Sequence, residues 1–123
     1  MPKCILIVDD HQKVRKIIRD YLESESGFEV CGEAVDGYDA IRKAKELSPD
    51  LIILDLSMPK MNGIEAARVL KKMLPQTPIV MLTSHDAALR GYDTHAAGID
   101  AVVSKDGDLA ALKDSVQNLL QEA

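Results

Sequence analysis

Asp9 and Asp10 follow the apolar run Cys4-Ile5-Leu6-Ile7-Val8, and Asp55 follows Leu51-Ile52-Ile53-Leu54. Thr83 and Ser84 follow Ile79-Val80-Met81-Leu82, and Ser104 and Lys105 follow Ala101-Val102-Val103. Three carboxylates brought within a few ångströms repel each other, which raises their proton affinity unless a cation joins them. Ligands that are all oxygen select a hard cation that keeps several waters, Mg²⁺ or Mn²⁺ rather than zinc. A carboxylate beside such an ion can attack a phosphoryl group and form an aspartyl phosphate. Lys105 and Thr83 then meet the transferred oxygens, one as a point charge and the other as a hydroxyl donor.

The elements that must bring these groups together can be read from periodicity. The run at 4–8 is apolar throughout, as in a strand covered on both faces. Val14, Ile17, Ile18, Tyr21 and Leu22 then form the stripe of an amphipathic helix, ended by Gly27. Phe28–Cys31 reads as a short second strand. Asp36 is placed to cap a helix with Ala40, Ile41, Ala44 and Leu47 inward, stopped by Pro49. After the strand at 51–54 comes a polar loop with Pro59 and Gly63. A third helix then carries Ile64, Ala67, Leu70 and Leu74. A weaker helix is expected from about Ala87 to Ala97, with Gly98 as its stop. Asp108 is placed to cap a last helix with Leu109, Leu112, Val116, Leu119 and Leu120 inward. Strands alternating with helices over short connections give right-handed βαβ units, hence an α/β fold with helices on both faces of a parallel sheet. In such sheets ligands bind outside the carboxyl ends of the strands, where all the polar residues named above fall.

At 123 residues there is room for one domain, and residues 1–123 are expected to form it without a second. No apolar run reaches the roughly 20 residues of a membrane span, and the start Met1-Pro2-Lys3 has no signal-peptide layout, so a cytoplasmic location is expected. A net charge of −5, a single Phe and no Trp argue against direct nucleic-acid binding, which needs clustered cations and stacking platforms. Cys4 and Cys31 lie in apolar segments and read as small buried thiols rather than a disulfide. His11 and His85 read as loop residues beside the site, Met58 and Met61 as loop packing, and Tyr38 and Tyr92 as surface aromatics.

The set Val8-Asp9-Asp10, Leu51–Asp55 with Met58-Pro59 and Asn62-Gly63, Leu82-Thr83-Ser84 and Ser104-Lys105 resembles the receiver domains of two-component response regulators. The details Asp10-His11, Asp36-Gly37 and Lys105-Asp106 look most like the NarL/FixJ branch. The resemblance implies a flavodoxin-like, doubly wound (βα)5 sheet of order 2-1-3-4-5. It implies that Asp55 accepts a phosphoryl group from the phosphohistidine of a sensor histidine kinase. Asp10, Asp55 and the Ser57 backbone carbonyl would ligate Mg²⁺ or Mn²⁺, with Asp9 acting partly through water. Thr83, Ser84 and Lys105 would bind the phosphoryl group and switch the face built from the fourth helix, fifth strand and fifth helix. That face would address an output domain or partner protein, with transcription regulation as the expected outcome. Where receivers carry a switch aromatic, this chain has Val102, and Asp106 replaces the proline that usually follows the lysine. With a stiff β-branched residue at 102, coupling is expected through backbone shifts of the 83–88 loop and the fourth helix.

An enzyme of the haloacid-dehalogenase-like phosphatase type would need a second acid two residues beyond the nucleophile, and Ser57 stands there. Neither a dinucleotide-binding nor a P-loop glycine motif occurs. A phospho-accepting switch with at most slow self-dephosphorylation is the expected role.

Overall fold

The computed structural model describes residues 3–24, 27–84, 94–107 and 109–121. They form β1 (Lys3–Val8), α1 (Gln12–Glu23), β2 (Phe28–Ala34), α2 (Gly37–Leu47), β3 (Leu51–Asp55), α3 (Gly63–Met73), β4 (Ile79–Thr83), β5 (Ala101–Ser104) and α4 (Leu109–Gln121). The sheet is parallel throughout, in the order β2-β1-β3-β4-β5. The strand order inferred from the family resemblance is therefore the observed one. Apart from a turn at 94–98, the helix expected at about 87–97 lies outside the described residues, as do the Asp108 cap, His85 and Tyr92.

Strands β1, β3 and β4 are central and covered on both faces, which is why their sequences are unbroken apolar runs. Alternate residues feed two cores. Leu6, Val8, Ile52, Leu54 and Met81 pack with Ala40 and Ala44 of α2 and Ile64, Ala67 and Leu70 of α3. Ile5, Ile7, Ile53, Val80 and Leu82 pack with Ile18 and Leu22 of α1 and Leu112, Val116 and Leu120 of α4. Ile17 departs from the expected stripe and is 57% exposed. Only the side of α1 that faces the sheet is covered, and Ile17 stands at its margin above an open groove shared with α4.

The helix starts follow local chemistry. Asp36 accepts a hydrogen bond from Asp39 N–H at 2.8 Å, the expected cap of α2. Asn62 and Glu65 form a reciprocal capping box on α3. Ser48 ends α2 in the left-handed conformation, directly before Pro49. Gly63 is required by space rather than by φ. A Cβ there would strike the Asp55 carbonyl oxygen and come within 2.9 Å of Leu56 Cα, both backbone atoms that cannot swing aside. Gly63→Ala is therefore expected to cost about 2–3 kcal/mol of stability, measured by urea unfolding. A loss under about 0.5 kcal/mol would show that the β3–α3 junction has slack.

The cysteines correct the sequence reading. Cys4 and Cys31, Cα atoms 5.3 Å apart, form a disulfide across the β1–β2 pair. Strand pairing, which sequence spacing does not reveal, brings them together. The ladder skips one residue of β2, Cys31, between the pairs Ile5–Val30 and Leu6–Gly32.

Candidate functional site

The carboxyl ends of β1, β3, β4 and β5 meet at one rim. Asp9 sits just past β1 with no exposed surface, its N–H bonded to Ala34 O at 3.0 Å. Its Oδ1 accepts from His11 N–H at 2.8 Å. The His11 ring lies over both acids, with Nδ1 3.2 Å from Asp9 Oδ1 and 3.0 Å from Asp10 Oδ1. Asp9, Asp10 and His11 present donor atoms within 4.8 Å of one another. Asp10 is the most exposed of the three carboxylates and faces solvent.

Asp55, at the end of β3, is 2% exposed. Lys105, just beyond β5, reaches across the rim: its Nζ is 2.7 Å from Asp9 Oδ2 and 3.1 Å from Asp55 Oδ1. The contact with Asp9 is an ion pair by distance, and among the described residues neither Asp9 Oδ2 nor Asp55 Oδ2 finds an aligned hydrogen bond. Burial raises the Asp55 carboxyl above its usual range, the Asp9 charge adds to this, and Lys105 and the Ser57 N–H oppose it. Burial works to lower Lys105, yet its pKa is raised on balance because Asp9 and Asp55 both hold its charged form.

Three carboxylates against one ammonium leave two negative charges at the rim, with Asp9 and Asp55 buried and Asp10 open to solvent. A buried carboxylate oxygen without a partner is costly. A divalent, oxygen-seeking cation answers both the charge and the unfilled Asp55 Oδ2, so the residues present fit Mg²⁺ or Mn²⁺.

Thr83 ends β4, buried, opposite Ser104 in the β4–β5 register. Its carbonyl accepts from Lys105 N–H at 2.9 Å, so the hydroxyl-bearing and ammonium-bearing residues belong to one strand-end junction. Ser84 and Ser57 are exposed at the same rim. Val102 pairs with Met81 and is 40% exposed on β5, so it is an apolar side chain offered at the surface. The loop expected to relay the signal, from residue 85 onward, lies outside the described residues.

Two residues were missed at the level of sequence. Arg15, largely buried on α1, donates from Nη1 to the Asp9 carbonyl at 2.6 Å and from Nε to Glu33 Oε1 at 2.9 Å. Glu33 also holds Arg19 Nη1 at 2.7 Å. This clamp fixes the backbone that carries Asp9 and Asp10. The available signal was an arginine beside Val14, at the inward margin of the α1 stripe. His11 is the loop residue beside the site that the sequence suggested, and its ring contacts both acids.

Residues 5–117 match the family described as response regulator receiver domain. The chain belongs to that family. The response regulator protein VraR of Staphylococcus epidermidis is 43% identical over 113 residues, covering 92% of this chain and 54% of that protein. Its counterpart in Staphylococcus saprophyticus is 41% identical over 117 residues, covering 95% of this chain and 56% of that protein. The chain thus spans about half the length of the curated relatives it matches. A solved LuxR-family two-component response regulator from Aurantimonas sp. superposes with a TM-score of 0.92 at 31% identity, covering 99% of this chain and 87% of that one. The signal receiver domain of the putative response regulator NarL from Mycobacterium tuberculosis gives 0.89 at 26% identity, with 99% and 98% covered. The receiver domain of this chain is a signalling switch of a two-component system.

Proposed function

We propose that Asp55 accepts a phosphoryl group from the phosphohistidine of a sensor histidine kinase. The observation that carries this reading is the buried Asp55 carboxylate, gripped on one oxygen by Lys105 and, among the described residues, without a hydrogen-bond partner on the other. Asp10, Asp55 and the Ser57 carbonyl would hold Mg²⁺ or Mn²⁺, with Asp9 beside them. When bound there, such a cation would supply positive charge against the transferred group. An Asp55 carboxylate oxygen forms the new bond to phosphorus as the bond to the donor imidazole nitrogen breaks, and that nitrogen keeps the electron pair. Lys105 then turns from the carboxylates to the phosphoryl oxygens, and Thr83 and Ser84 offer hydroxyls to the same group.

The phosphoryl group adds about −1.5 to −2 charges at neutral pH. We read the consequence as a shift of the surface formed by the segment after β4, β5 with its exposed Val102, and α4. Residues 1–123 act as one receiver unit in the cytoplasm. The shifted surface addresses an output domain, attached or separate, that regulates transcription. The receiver itself contacts neither nucleic acid nor membrane. It turns over no phosphate ester beyond slow loss of its own acyl phosphate.

Acetyl phosphate with Mg²⁺ is expected to add one hydroxylamine-labile phosphoryl group, and chelation of the metal to prevent it. Mg²⁺ alone should stabilise the folded chain, because the unfolded chain disperses the carboxylates. At 100 times the dissociation constant the gain is about 2.7 kcal/mol. A melting temperature indifferent to Mg²⁺, with no phosphoryl uptake, would overturn the reading. Rapid multiple turnover of a phosphomonoester would replace it with a phosphatase.

A further inference from the structure

We propose that Cys4 and Cys31 are a reversible thiol–disulfide pair, exchanging with low-molecular-weight thiols and disulfides, that fastens edge strand β2 and helix α1 to the rest of the sheet. The redox context rests on the cytoplasmic location proposed above. In a compartment kept reducing, a protein disulfide is a transient, responsive bond rather than a permanent staple.

The placement makes this bond mechanically consequential. Among the described residues β2 is an edge strand, paired in the sheet with β1 alone. Cys31 is the residue the β1–β2 ladder skips, so the bridge stands where backbone pairing is weakest. The 27-residue separation between the cysteines contains the whole of α1. Two residues beyond Cys31, Glu33 holds Arg15 and Arg19 of α1, so fixing β2 fixes the acceptor of both arginines. Both cysteines are partly exposed, so a small reagent can reach them.

The chemistry balances without a further oxidant. One protein thiolate attacks a small disulfide, forming a mixed disulfide and releasing one small thiolate. The second protein thiolate then attacks the protein-side sulfur and releases the other. The protein loses two electrons and two protons, and the small disulfide gains both as two thiols.

The test equilibrates the full chain with glutathione and glutathione disulfide at set ratios, quenches with acid, alkylates in denaturant and reads intact mass. A smooth exchange between a form with two alkylated cysteines and one with none is expected, without a lasting mixed disulfide. Amide exchange in Phe28–Ala34 and α1 is expected to be about 10- to 100-fold slower in the oxidised form, with β3 and β4 changing least. In Cys31→Ser, which folds as the reduced form does, the redox ratio should leave exchange rates unchanged. Two alkylatable thiols at every ratio would overturn the proposal. So would a bridge that no thiol opens in the native protein, or equal exchange in both forms.

Discussion

Asp55→Asn is expected to lose phosphoryl incorporation down to background, because an amide offers no carboxylate nucleophile. The same change should raise metal-free stability at neutral pH by about 1 kcal/mol, since it removes a buried charge repelled by Asp9. The sign follows from the raised Asp55 pKa. The folded state holds this proton more tightly than the unfolded chain. Stability of the parent protein therefore falls as pH rises from about 4, the unfolded carboxyl value, through the higher folded one. The advantage of Asp55→Asn appears across that window, persists above it and vanishes in acid. Mg²⁺ should narrow it by stabilising the parent more than the variant. Urea unfolding against pH, with hydroxylamine-labile mass as the activity readout, checks both parts. Equal labelling of the variant would remove Asp55 from its role, whatever the stability shows.

Lys105→Met should be the most damaging single change to the metal-free site. It keeps side-chain length while leaving Asp9 and Asp55, both buried, without their shared cation. A loss of about 3 kcal/mol at pH 7–8 is expected. Without the ammonium the Asp55 carboxyl holds its proton more tightly still when folded, so the deficit should shrink as pH falls through that raised value. Lys105 itself has a folded pKa above its unfolded one. Its stabilisation is therefore complete at neutral pH and is lost only as alkaline pH passes the folded value. Mg²⁺ should return part of the lost stability by supplying positive charge at the same carboxylates. It should not return phosphoryl uptake, which also needs Lys105 on the transferred oxygens. A deficit independent of both pH and Mg²⁺ would mean that Lys105 serves only as packing.

The sequence by itself determined the alternation of elements and the ends at which chemistry sits. Unbroken runs such as Leu51–Leu54 must be buried on both faces, and each is followed by a residue that burial tolerates only for a reason. The Asp36 cap was equally legible, because capping acts over three or four residues, whereas the Asn62–Glu65 capping box came only with the structure. Strand order was not available from periodicity and came from family resemblance, since period says which face is buried and not which strand lies alongside. Tertiary structure alone decided three things. It brought Cys4 and Cys31 to a Cα separation of 5.3 Å by pairing β1 with β2. It carried Arg15 from α1 to the Asp9 carbonyl and to Glu33 of β2. It set Lys105 on Asp9 and Asp55, leaving Asp55 Oδ2 without a hydrogen-bond partner among the described residues. Each joins residues far apart in the chain, where local pattern carries no distance information. Such contacts depend on register, and a one-residue shift in pairing moves every side chain of a strand to the opposite face.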